Sequence, residues 1–395
     1  MSTRRPSDSW NGFGDLKPGP GSLHKQIQTV LSTANFQQLQ KVALLTRISQ
    51  GKTADPGVSC TIDPSSFTYG FNNVVLEVLF SDHVYWLTKI QHISVDASQA
   101  TENAMDLLSE IATMRTVKDR TSIPVPQVFA YDLDGRVLGG PFVSQVPPGY
   151  LPKVARQLAE VLSQLHGLAF DRLGRLWCGA NSDGPPEIIP LSPNNASSPS
   201  STPQTSLEWF YTHRQEDNRR VLERHPHDPE WRTACWVLKT AVPHIIIEAR
   251  VHGPFPLCHV DLHHGNLLFD DDYNLKGVID WSQAQTVPLE RLVVSPEVIT
   301  FPGGSDEQNK NILTFKSLIR EHLQHLEKTE CSADKISPTL LSHVFGSKRA
   351  DITHRCTYSL PHRALWDGRL VARLIYGDDV AWEQLVRVYG ETEIY

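Results

Sequence analysis

Residues 259–281, His-Val-Asp-Leu-His-His-Gly-Asn-Leu-Leu-Phe-Asp-Asp-Asp-Tyr-Asn-Leu-Lys-Gly-Val-Ile-Asp-Trp, constrain this chain more than any other stretch. Two short apolar runs, 267–269 and 275–279, flank the turn-forming residues 270–274, a pattern that predicts a β-hairpin. In an antiparallel hairpin the entry of the first strand lies beside the exit of the second. Asn266 and Asp280 are therefore expected side by side. An amide oxygen next to a carboxylate is a hard-oxygen pair suited to Mg²⁺, which takes few protein ligands and completes its shell with water and phosphate oxygens. Asp261, in the loop entering the hairpin, is placed to accept a proton from an acceptor hydroxyl.

The remainder divides into two parts. Residues 74–80 (VVLEVLF) and 84–90 (VYWLTKI) are β-branched and aromatic runs around a short polar turn, a second hairpin. In ENAMDLLSEIATMRTVKD, Met105, Leu108 and Ile111 recur at helical spacing with Glu110 beside them, and Ile123-Pro124-Val125-Pro126 stops the helix. VFAYD and PFVSQV are two further strand candidates. After Pro147-Pro148-Gly149, the stripe Leu151, Val154, Leu158, Val161, Leu162 and Leu165 predicts a core helix. Residues 181–206 are rich in Pro, Ser and Asn and read as a mobile surface insertion. Further helices are expected near 207–224, 230–248, 306–328 and 360–390. The expected fold class is α+β: a partly flexible extension over 1–60, a small antiparallel β-sheet lobe with one helix over 61–148, and a larger, mainly helical lobe over 149–395.

HVDLHHGN resembles the H-x-D-x-x-x-x-N catalytic loop of kinase-like enzymes, in the form typical of aminoglycoside phosphotransferases and choline kinase-like proteins, and Ile279-Asp280-Trp281 is similar to that family's replacement for the D-F-G motif. The strings at 109–114, 123–126 and 140–142 resemble the fungal branch of the family. The likeness runs from about residue 67 to 291 and implies a two-lobed protein-kinase-like fold using ATP and Mg²⁺. By that match Asp261 is the catalytic base, His259 supports its loop, and Asn266 and Asp280 are metal ligands. Lys89 on the second strand of the sheet-lobe hairpin and Glu110 on the next helix match the pair that holds nucleotide phosphates. Gln145 and Val146 fall in the interlobe hinge, which holds adenine mostly through backbone groups. There are departures: no G-x-G-x-x-G loop is present, with Ser65 to Asn72 in its place, and Gln145 stands where many relatives carry Glu.

Forty-four acidic against 37 basic side chains, a formal charge of -7, and no long Lys/Arg run leave no nucleic-acid footprint. The six cysteines form no C-x-x-C pair, and no 18-residue apolar run or secretory h-region occurs, so a reducing, cytoplasmic, non-membrane setting is expected. The partner expected is a small-molecule phosphate acceptor, with oligomeric state open. Acidic residues such as Asp367, Asp378 and Asp379 have two readings, the lining of a cationic acceptor's pocket or the solvated surface, and the surface is expected for each. Two other readings compete: a metal hydrolase built on His259, Asp261, His263 and His264, whose crowding suits a metal, and an inactive kinase fold acting as a binding protein. The first leaves the Asn266 to Asp280 hairpin unexplained; retention of Lys89, Asp261, Asn266 and Asp280 speaks against the second.

Overall fold

The structure is a computed structural model and describes residues 5–14, 16–49, 57–70, 73–91, 97–129, 148–180, 183–190, 203–295, 306–330, 340–357 and 361–394. Most of its buried hydrophobic side chains fall into two clusters, one per lobe.

Helices α1 (Leu23–Thr33) and α2 (Phe36–Ser49) precede the antiparallel sheet β1 (Cys60–Tyr69), β2 (Asn73–Phe80), β3 (Tyr85–Gln91), in spatial order β1-β2-β3. The register of β1 on β2 shifts between Ile62 and Phe67. Pro64 lies in that irregular stretch on an edge strand, where its missing N–H costs no ladder bond. Ile27, Val30 and Ala43 of the two helices share one core with Phe67, Val74, Leu76 and Phe80. Residues 16–49, expected within the partly flexible extension over 1–60, contribute Ile27, Val30 and Ala43 to the core of the sheet lobe. On the other side Arg5 donates to the buried Glu77 of β2 at 2.6 Å.

Helix α3 (Ala97–Arg120) crosses from the sheet to the second lobe: Ala112, Met114 and Val117 belong to the larger core. That lobe continues with α4 (Leu151–Gly167), β4 (Ala169–Phe170), β5 (Arg175–Trp177), β6 (Glu187–Ile189), α5 (Ser206–Arg224), α6 (Pro229–Thr240), α7 (Val242–Ile245), β7 (Phe255–Cys258), β8 (Leu267–Phe269), β9 (Leu275–Val278), β10 (Gln285–Thr286), α8 (Leu289–Leu292), α9 (Asp306–Glu330), α10 (Leu341–Val344), α11 (Lys348–Thr357), α12 (Ala364–Tyr376) and α13 (Trp382–Tyr389). Together they make the two-lobed, α+β architecture of the protein-kinase-like fold. Among the described residues no helix is long and apolar enough to cross a membrane.

Several expectations change at this level. The 230–248 helix breaks after Thr240 and resumes for one turn with Pro243 at its start, a position that needs no N–H. The 360–390 helix is two helices, separated where Gly377 takes φ 69°. Glu187 to Ile189, inside the expected insertion, pair with β5, and Ile188 packs against the large core. Asp367 is 1% exposed and ion-paired with Arg355 at 3.2 Å, so it is an interior charge instead of a solvated one. VFAYD and PFVSQV fall largely outside the described residues.

Candidate active site

The hairpin β8–β9 forms with Leu267 opposite Val278 and Leu268 opposite Gly277. Its turn is closed by Asp270, whose carboxylate accepts from the backbone of Asp272 and Asn274 at 3.1 and 2.8 Å. Helix α4 clamps the turn: the Lys153 ammonium donates to the Asp272 carbonyl at 2.7 Å, and the Gln157 side chain bridges Tyr273 and Leu275. The Val278 N–H donates to the Pro124 carbonyl at 2.7 Å, fixing the hairpin to the segment that leaves α3. At the open end the Ile279 N–H donates to the Asn266 carbonyl at 3.0 Å, which puts Asn266 and Asp280 next to each other.

Asp280 has φ 60°, a left-handed conformation that Asp tolerates better than most residues. There its Oδ1 accepts from Ser282 Oγ at 2.5 Å and from Lys89 Nζ at 3.3 Å. Lys89 reaches from β3 and also holds Glu110 of α3 at 3.3 Å, so one ammonium joins three elements and both lobes. Burial pulls the Lys89 pKa down, but Glu110 and Asp280 more than offset it and the group sits above the ordinary lysine value. Burial raises Asp280 as well, yet Lys89 and the Ser282 hydroxyl outweigh it and leave Asp280 below the ordinary carboxylate value. Glu110 is more deeply buried, and there burial outweighs Lys89 and raises its pKa. Helix α3 is itself held in place by the ion pair of Asp106 with Arg175 of β5.

Asp261 follows strand β7 and keeps a half-open carboxylate, 52% exposed, facing the cleft. Asn266 Nδ2 donates to the Asp261 carbonyl at 2.8 Å, which ties the loop together and leaves the amide oxygen as the free end of that side chain. His263 Nδ1 accepts from the Gly265 N–H at 2.9 Å, so Nε2 carries the proton of the neutral ring and faces Asp261 Oδ2 at 3.5 Å.

His259 is elsewhere. It is 1% exposed, its Nε2 donates to the Ile279 carbonyl at 2.9 Å, its ring meets the edge of Trp281 and its own carbonyl accepts from Ser295. Burial lowers its pKa and keeps the ring neutral. It therefore braces the loop against the hairpin exit and touches no cleft. That orientation removes the His259, Asp261 and His263 cluster of the hydrolase reading, and among the described residues no group of three or more potential ligands could hold a metal in that fashion.

Two connected chambers meet at this floor. A cavity of about 370 Å³ between the lobes is walled by Val75, Trp86, Met114, Leu268 and Ile279, with Lys89, Glu110 and Asp280 at its inner end. A second, of about 620 Å³, is lined by Asp261, His263, Trp209, His213, Gln285 and Arg291 among others; Gly70, Asn73, Asn266 and Asp280 border both. Lys89, Glu110, Asp261, Asn266 and Asp280 are thus brought together as the sequence predicts, while Gln145 and Val146 lie outside the described residues. Trp209 and His213 of α5, Gln285 of β10 and Arg291 of α8 were not anticipated. The only sequence signal was an aromatic and a histidine one helical turn apart, which reads as packing.

A model of the phosphotransferase enzyme family, APH, matches residues 77–290, more than half of the chain. No curated protein matches the sequence. Solved structures similar in fold include a macrolide 2'-phosphotransferase from Brachybacterium faecium (15% identity, 86% of this chain and 99% of that one, TM-score 0.42). Others are a Plasmodium vivax ethanolamine kinase (12% identity, 95% of each chain, TM-score 0.45) and an amicoumacin kinase in complex with AMP-PNP and Ca²⁺ (12% identity, 93% and 95%, TM-score 0.42).

Proposed function

This chain belongs to the phosphotransferase enzyme family, and on that premise we propose that it is an ATP-dependent kinase transferring the γ-phosphate to a hydroxyl of a small-molecule acceptor. The strings at 109–114 and 123–126 favour the family's fungal branch. The observation that carries the reading is the position of Lys89, 3.3 Å from both Glu110 and Asp280, in a chamber that shares Asn266 and Asp280 with a second one lined by Asp261.

The donor set fits a divalent cation: the Asn266 amide oxygen is turned away from its loop bond, and Asp280 engages Lys89 and Ser282 through Oδ1, leaving Oδ2 for another ligand. Mg²⁺ held there supplies neutralisation of the charge on the transferring phosphoryl group. Lys89 holds the nucleotide phosphates, fixed by Glu110. The apolar walls around Val75, Leu268 and Ile279 take the base, and the Gln145–Val146 hinge holds its edge. Asp261 accepts the acceptor's hydroxyl proton as the new O–P bond forms and the P–O bond to ADP breaks. His259 keeps Asp261 in register through Ile279. A cytoplasmic setting fits this cosubstrate.

The test is transfer of labelled γ-phosphate from ATP to a mixed pool of hydroxylated metabolites by the full chain. Label in a small organic product, absent with Asp261→Asn, supports the reading; nucleotide binding without any transfer supports the binding-protein alternative.

A further inference from the structure

The second chamber has a charge and bonding character that bears on what enters it, an inference that rests on the phosphotransferase reading. An ammonium group taken out of water needs carboxylates or open aromatic faces around it. The carboxylates among the described lining residues are Asp261 and Asp280, one used by the transfer and the other held by Lys89. The guanidinium of Arg291 lines the same chamber; it donates to the Val260 carbonyl, next to Asp261, at 3.1 Å and is 7% exposed. Trp209 offers no open cage: it is 3% exposed, and His213 stacks on it with ring centroids 3.8 Å apart.

The same walls carry neutral hydrogen-bonding groups. His213 Nδ1 donates to the Trp209 carbonyl at 2.7 Å, so the proton sits on Nδ1 and Nε2 is an acceptor. Burial holds the pKa of this ring down and keeps it uncharged. The Trp209 indole N–H and the Gln285 amide oxygen are buried with no hydrogen-bond partner among the described residues. A donor and an acceptor left unsatisfied in a chamber wall are groups for a ligand to complete.

We propose that the acceptor chamber takes an uncharged, hydrogen-bonding hydroxy compound, such as a polyol or a hydroxy-amide, and discriminates against amines. Trp209 donates to it, Gln285 and His213 accept from it, and Arg291 repels a cation. One acceptor hydroxyl gives its proton to Asp261 while its oxygen takes the phosphoryl group from ATP, releasing ADP.

The experiment measures acceptor-stimulated ADP release by the full chain at saturating Mg-ATP, over matched pairs of alcohols: choline with its uncharged isostere 3,3-dimethylbutanol, and amino sugars and amino alcohols with the corresponding sugars and diols. Stimulation is expected from uncharged members, with kcat/KM at least tenfold above their protonated partners. Gln285→Glu, and independently Gln283→Glu on the exposed rim, should each shift that ratio at least tenfold toward the amines. Preference for the amines, or an unchanged ratio in both variants, overturns the inference. Stimulation by neither class while Mg-ATP still binds also overturns it and leaves the nucleotide site standing, whereas absence of Mg-ATP binding overturns the phosphotransferase reading itself.

Discussion

Lys89 Nζ and Asp280 Oδ1 stand 3.3 Å apart, one from a strand of the sheet lobe and the other from the exit of a hairpin in the helical lobe. With Glu110 on the same ammonium, the contact joins the lobes at the place where the proposed function puts the nucleotide phosphates. Replacing Lys89 with Met removes a preorganised cation and should lower kcat/KM for ATP by about 10²–10³-fold. Steady-state kinetics with varied ATP checks this; wild-type values would mean that the pair serves the fold alone.

Asp261 and Asp280 should fail differently. Asp261→Asn keeps the shape of the loop, including the Asn266 bond to the backbone carbonyl of residue 261, but removes the proposed base. Transfer should drop by about 10²–10⁴-fold with the ATP dissociation constant within about twofold of wild type, as read by calorimetry. Equal, mild effects from Asp261→Asn and Asp280→Ala would remove the distinction between base and metal ligand.

Gly368 of α12 lies so close to α6 that a Cβ there would sit 2.7 Å from Ala234 Cβ and 2.8 Å from its Cα. The obstruction includes backbone, which cannot swing aside, so Gly368→Ala should destabilise the helical lobe by about 1–3 kcal/mol. Denaturant melts measure it. Since neither residue lines a chamber, nucleotide affinity should not change.

Stability should decline as pH falls below the ordinary histidine range. Burial lowers His166 to about 4 and His354 to about 2, the latter helped by Arg355. Between the unfolded value of 6.5 and those lowered values the unfolded chain binds more protons, so acid favours unfolding. The expected melting temperature is flat above about pH 6.5 and falls progressively below it. His166→Gln should shallow that fall; an identical slope would assign the acid sensitivity to other groups.

How far the sequence could be read follows the range of the interactions. The β8–β9 hairpin was legible because its turn chemistry and the two candidate site residues at its ends lie within one local segment. Lys89 and Glu110 were legible as a strand and helix pair once that hairpin was recognised. His259 was placed in the right loop, but whether it faces the cleft or the core depends on Ile279 and Trp281 closing over it. The second chamber was not legible: Trp209, His213, Gln285 and Arg291 come from three elements whose meeting is decided by tertiary packing. Asp367 looked solvated because its partner Arg355 is on a different helix. The two N-terminal helices escaped notice because the apolar surface that Ile27 and Val30 cover belongs to the sheet.

The most direct measurement is the thermal stability of the purified chain titrated with ATP, with and without Mg²⁺, in wild type and Asp280→Ala. A ligand bound only by the folded state stabilises it by about 2.7 kcal/mol at 100 times its dissociation constant. A Mg²⁺-dependent rise in melting temperature that Asp280→Ala abolishes is the expected result. No rise in the wild type, or the same rise in both proteins, would contradict a nucleotide and metal site built on Lys89, Asn266 and Asp280.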